Sequence, residues 1–107
     1  MVYQPAGRQA RRSQKLMYYV YVLQSLKTGK FYKGLTDNLE RRLLQHFKGE
    51  CPSTKKMLPL HLVHVELCSS RVEARQKEKF FKSGYGREII KEIAEELKAG
   101  VAEWYTR

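Results

Sequence analysis

The sequence predicts an α+β fold: a small antiparallel three-stranded sheet flanked by helices, in the order β-β-α-β-α-α. Three observations lead there. Two short runs rich in aromatic and β-branched residues, YYVYVLQS at Tyr18–Ser25 and FYKGLT at Phe31–Thr36, are separated by only five residues. That is too few for the crossover that a parallel pair requires, and it favours a hairpin. A third run, LHLVHVEL at Leu60–Leu67, has the same strand character. Between and after these runs, apolar residues recur at helical spacing.

The first two strands follow from their composition, and Thr28-Gly29 supplies the turn signal between them. Asp37 is expected to start the first helix, because Asp37 and Glu40 have capping-box spacing and Leu39, Leu43 and Phe47 form an apolar stripe. Gly49 is expected to end it. Glu50–Pro59 reads as a basic loop carrying Lys55 and Lys56 before the third strand. Ser70 and Glu73 form a second capping box, opening a helix to about Ser83 that Gly84 and Gly86 are expected to break. A last helix is expected over roughly Arg87–Leu97, where Ile89, Ile90, Ile93, Ala94 and Leu97 make an amphipathic stripe.

The chain of 107 residues is long enough for one domain with one modest core. At 42% hydrophobic residues it is not globally disordered, and no apolar run approaches the roughly 20 residues of a membrane span, so no membrane association is expected. The charge is +10, from 21 Lys+Arg and 11 Asp+Glu. It is unevenly placed. Residues 86–107 hold four basic and five acidic residues, which leaves 17 against 6, or +11, for residues 1–85. Such an excess fits a polyanionic partner, nucleic acid being the commonest, although a merely soluble basic protein also carries lysine-rich surfaces. Residues 1–16 contain Arg8, Arg11, Arg12 and Lys15, with no acidic residue and no apolar core segment. They are expected to form a disordered basic extension ahead of a domain at 17–98, with 99–107 as a tail. The two cysteines, Cys51 and Cys68, form no Cys-x-x-Cys pair. This argues against zinc and for reduced structural thiols in a cytoplasmic protein.

Several side chains within this framework have the chemistry of a site. Tyr19 and Tyr21 share one face of the first strand by alternation. Tyr32 and Gly34 lie on the second strand, where a glycine often marks close approach of a backbone or ligand. Arg42 and His46, four apart, are neighbours on the first helix at the border of its apolar stripe. Glu78 shares a face of the second helix with Ala74 and Phe81. Taken singly, each has an ordinary structural explanation: the tyrosines and His46 as packing residues, Arg42 as a solvated charge, Glu78 as a partner of Arg75 or Lys82. Glu73 has surface-pair spacing with Lys77.

In combination, the motifs over about Met17–Lys91 resemble those of the GIY-YIG nuclease superfamily. The likeness is to short stand-alone bacterial members, relatives of the catalytic domain of the excision-repair incision subunit. YVYVLQS stands where the first motif belongs, with Tyr21 as its tyrosine, and FYKGLT where the second belongs, with Tyr32 and Gly34. DNLERRLLQH matches the helix that follows, at Arg42 and His46. EARQKEKFFKSG matches the helix that carries a metal-binding glutamate, at Glu78. STKK before the third strand and KSGYGREIIK after Glu78 look like hallmarks of the small subgroup. The first motif has no glycine, the second has Lys33 at its middle position, and the asparagine frequent after the glutamate helix has no counterpart here. The only asparagine is Asn38.

The resemblance implies a metal-dependent endonuclease that hydrolyses phosphodiester bonds, with DNA as the expected substrate and a monomer as the expected state. Glu78 would hold Mg²⁺ or Mn²⁺, which commonly takes one or two carboxylates with water completing the shell. Arg42 would clamp the phosphate in a bidentate manner. Tyr21 or Tyr32 would position or activate the water, with the phenol's pKa lowered by Arg42, the metal and Lys33, and His46 would assist. Lys33, Gly34, Lys55 and Lys56 are the expected nucleic-acid contacts. Two rival classes remain open on the residues: a non-catalytic nucleic-acid-binding module that keeps the fold, and a protein-interaction adaptor.

Overall fold

A computed structural model describes residues 17–105, with side chains to residue 98. The basic extension expected over residues 1–16 lies outside the described residues. Strands β1 (Tyr18–Ser25), β2 (Phe31–Thr36) and β3 (Leu60–Cys68) form one antiparallel sheet, ordered β2-β1-β3. Helices α1 (Leu39–Phe47), α2 (Arg71–Lys82) and α3 (Gly84–Tyr105) complete the expected order, β-β-α-β-α-α. A 3₁₀ turn at Lys55–Met57 interrupts the basic loop.

Alternation along β1 divides the interior in two. Val20 and Val22 face Val63, Cys68, Ala74, Phe81, Ile90 and Ala94, so α2 and α3 cover this side of the sheet. Tyr21 and Leu23 face the other way and pack with Leu60, Tyr32, Leu39 and Leu43, so α1 covers the second side. Pairing of Tyr21 with Gly34 and of Val22 with Lys33 extends the same parity into β2: Tyr32 and Gly34 belong to the α1 side, Lys33 to the α2 side. A bulge between Val22 and Leu23 adjusts the register with β3.

The helix boundaries differ from expectation in instructive ways. Asn38, not Asp37, caps α1, its Oδ1 accepting from the Arg41 N–H at 3.2 Å. Both residue types favour the cap, so composition alone left the choice within one residue. At the other end Gly49 has φ +79° and donates to the His46 carbonyl, while Glu50 donates to Gln45. This is a Schellman ending, as the glycine suggested. Ser70 caps α2 by accepting from the Glu73 N–H, but the Glu73 carboxylate returns to Ser69 rather than pairing with Lys77. Lys77 instead reaches Glu66 on β3.

Gly84 opens α3 rather than merely ending α2, and α3 runs to Tyr105, well past the expected Leu97. Gly86 sits in its first turn because a Cβ there would overlap the Phe80 carbonyl. The glycine thus permits a close approach of the two helices.

Candidate active site

Four of the singled-out side chains meet on the α1 side of the sheet. The Tyr21 ring lies across Gly34: a Cβ at Gly34 would fall 2.5 Å from the Tyr21 hydroxyl and 2.6 Å from Cζ. Only glycine leaves room for a phenol laid over the edge strand. His46 points inward from α1 and is fully buried, although its helical position suggested the border of the stripe; Phe47, expected in the stripe, is 41% exposed. Tyr21 Oη and His46 Nε2 are 2.8 Å apart, and His46 Nδ1 is 2.8 Å from Thr54 Oγ1. The Tyr32 ring leans on both, with centroids 6.3 Å from Tyr21 and 5.2 Å from His46. A phenol, an imidazole and a hydroxyl therefore form one buried chain across β1, α1 and the basic loop.

The electrostatics of this chain reverse one expectation. Burial, reinforced by the neighbouring Tyr32, pushes the Tyr21 hydroxyl up to about 12. The nearby Arg42 guanidinium pulls the other way but does not overcome it. The cations near the motif tyrosines are expected from the sequence to lower a phenol's pKa. At Tyr21 the cost of desolvation dominates instead, because the group is buried. Burial and then Arg42 lower the His46 pKa, so the imidazole is neutral at physiological pH. Arg42 itself stays on the surface, where its Nη1 donates to Gln45 Oε1 at 3.0 Å.

The remaining predicted residues lie elsewhere. Lys33 is on the opposite side of β2, where burial and then the nearby Arg87 and Lys82 lower its pKa. It therefore sits too far round the strand to act on the Tyr21 phenol. Glu78 lies on α2 with its side chain 19% exposed, and pairs with Lys82 at 3.4 Å, one of the two ordinary partners foreseen. Ala74 and Phe81 point onto the sheet and Lys77 reaches β3. At 100° per residue, Glu78 therefore occupies the other flank of α2, with Arg71, Arg75 and Lys82. That flank runs beside β2: Arg71 lines a cleft with Leu35 and Thr36 at the strand's end, and the charge of Lys82 is felt at Lys33. The edge strand β2 lies between that flank and the tyrosine–histidine chain, with Lys33 on one side and Tyr32 and Gly34 on the other. Lys55 and Lys56 project from the 3₁₀ turn directly after Thr54.

Among the described residues no three His, Cys, Asp or Glu side chains gather as a metal cage. A single partly exposed carboxylate is a poor zinc site but suits a hard, largely hydrated cation such as Mg²⁺. Cys51 and Cys68 are both buried and unbonded to each other.

Two residues escaped the sequence reading. Thr54, within STKK, is fully buried against His46. Arg71, the first residue of α2, lines a cleft with Arg41 and Arg42. A small polar residue next to a lysine pair carries no periodic signal of burial, and Arg71 is more than 25 positions from Arg42 in the chain.

Comparison with known proteins places the chain in a family. Residues 17–92 match the family described as the GIY-YIG catalytic domain. A UPF0213 protein of Bacillus licheniformis is 36% identical over 85 residues, covering 78% of this chain and 87% of the relative. One from Natronomonas pharaonis is 42% identical over 67 residues, covering 62% and 78%. A third, from Staphylococcus haemolyticus, is 34% identical over 79 residues, covering 73% and 95%. No solved structure matches the chain.

Proposed function

The chain belongs to the GIY-YIG catalytic domain family, and from that premise we propose that it is a divalent-metal-dependent endonuclease that hydrolyses phosphodiester bonds, with DNA as its substrate. The observation that carries this reading is the buried Tyr21–His46–Thr54 chain, with Tyr32 and Arg42 beside it, at the strand edge that faces Glu78 across β2. A buried neutral histidine held between two hydroxyls is costly to assemble for packing alone.

Hydrolysis requires a water in line with the departing oxygen, neutralisation of phosphate charge and a proton acceptor. Tyr32, half-buried, is the phenol that water reaches, and orients the attacking molecule. Tyr21, sealed and held protonated, positions the imidazole. His46, neutral and sealed from water, assists by holding the Tyr21 hydroxyl in place beside Tyr32. Arg42 grips a non-bridging phosphate oxygen pair with its planar fork. Glu78, freed from Lys82, is the carboxylate to hold Mg²⁺ or Mn²⁺. When bound, the cation supplies charge neutralisation on the phosphate and support for the departing oxygen. Lys33, Lys55 and Lys56 contact the flanking backbone. The two buried free thiols fit a reducing compartment such as the cytoplasm.

Incubation with flapped, branched, single- and double-stranded substrates, with and without Mg²⁺ or Mn²⁺, tests the proposal. Metal-dependent cleavage is expected. Binding of every substrate with no cleavage of any would leave the non-catalytic binding module in its place.

A further inference from the structure

The cations of α2 and its surroundings are not spread evenly. At one end of the β2-facing flank, a cleft of about 270 Å³ opens between the first turns of α1 and α2, lined by Arg41, Arg42, Arg71, Thr36, Asp37 and Gln45. Three guanidiniums come from two helices, against one carboxylate. At the other end, Arg87 Nε donates to the Lys82 carbonyl at 3.2 Å, and burial first, then the charges of Arg87 and Lys82, lower the pKa of Lys33. Glu78 lies between the two groups on the same flank, about 10 Å of helix rise from Arg71 and about 6 Å from Lys82. Like charges gathered at both ends of one seam raise the folding free energy unless an anion reaches them.

We propose that this seam is the track of the substrate strand: the Arg41–Arg71 cleft holds one backbone phosphate, the Lys33–Lys82–Arg87 group holds another, and the strand between them passes Glu78. The ligand is a phosphodiester backbone, and its identity as substrate rests on the nuclease reading above. Arg71 is the defining residue. It sits at the first position of α2, its fork is suited to phosphate, and it joins Arg41 and Arg42 in lining the cleft. The charge separation along the helix, about 16 Å from Arg71 to Lys82, spans several phosphates of an extended strand. The anion of the track also competes for Lys82, which releases Glu78 from its ion pair.

The test is equilibrium binding of labelled single-stranded DNA, duplex DNA and single-stranded RNA in EDTA, as a function of salt. Arg71→Gln should reduce the log–log salt slope by about 0.9 on duplex DNA and about 0.7 on single strands, and weaken binding severalfold at fixed salt. Arg71→Lys should restore the slope, because it keeps the charge. Lys98→Gln, an equal change of net charge on α3 away from the seam, should leave the slope unaltered. The arm that binds most tightly identifies the kind of strand. Equal slopes for Arg71→Gln and wild type, or equal losses for Arg71→Gln and Lys98→Gln, overturn the track even if the wild type cleaves with Mg²⁺. Conversely, an Arg71-dependent slope in a wild type that cleaves nothing sustains the track as a binding path and removes the nuclease reading.

Discussion

The hydroxyl of Tyr21 lies 2.8 Å from Nε2 of His46, 25 positions away in the chain, and neither side chain is reached by solvent. The imidazole uses its other nitrogen on Thr54. With one ring proton to share, the chain is satisfied in either direction: Tyr21 donates to Nε2 while Nδ1–H donates to Thr54, or Thr54 donates to Nδ1 while Nε2–H donates to Tyr21. An imidazolium would donate at both nitrogens, which burial and the nearby Arg42 oppose.

This pair sets a pH window for stability. The Tyr21 hydroxyl is pushed up to about 12 from its usual 10, so above pH 10 the folded chain holds a proton that the unfolded chain has lost. Stability should fall between about pH 10 and 12, by up to about 3 kcal/mol. The His46 pKa is lowered, so its contribution is complete above about pH 6.5 and is lost as pH falls below that value. Urea unfolding across pH measures both limbs. Tyr21→Phe should remove most of the alkaline loss. An alkaline limb of undiminished size in that variant defeats the assignment.

Thr54→Val preserves shape but leaves His46 Nδ1 facing an apolar group. A buried polar atom without its partner costs about 1–3 kcal/mol, and Thr54→Ser should recover most of it. The ¹⁵N shifts of the His46 ring should change in the valine variant and stay native-like in the serine one. Identical ring shifts in all three proteins would show that Thr54 does not orient the imidazole.

Gly34→Ala places a methyl group where the Tyr21 ring lies, 2.6 Å from Cζ. The ring must move, so the bond to His46 lengthens and the cost should be about 1–3 kcal/mol, as for overpacked sites. Cleavage should fall together with stability. A variant as stable as the wild type, with its His46 resonances unmoved, contradicts the close approach.

Glu78→Gln keeps the volume and removes the charge. Its pair with Lys82 is near the surface, worth about 0.2–1 kcal/mol, so the melting temperature should barely change. Metal-dependent cleavage should be abolished, with nucleic-acid affinity equal or slightly raised. Arg42→Ala should weaken both binding and cleavage, the latter by a few kcal/mol in activation free energy. Full cleavage by Glu78→Gln would transfer the metal role to another residue.

Periodicity and turn chemistry were enough to read the element order. Alternation in YYVYVLQS put Tyr21 opposite Val20 and Val22, the short Thr28-Gly29 link fixed the hairpin, and Gly49 marked its helix end because few residues tolerate φ +79°. The motif residues were also legible, since Tyr21, Tyr32, Arg42, His46 and Glu78 are local patterns. What the sequence could not convey was depth and side. Whether Asp37 or Asn38 caps α1 is decided by a local energy difference too small to see in composition. The burial of His46, the inverted shift of Tyr21, the partnership of Thr54 and the placement of Lys33 across the sheet all depend on which elements stack on which face. Desolvation and long-range pairing are properties of that stacking, and no local run of residues encodes them.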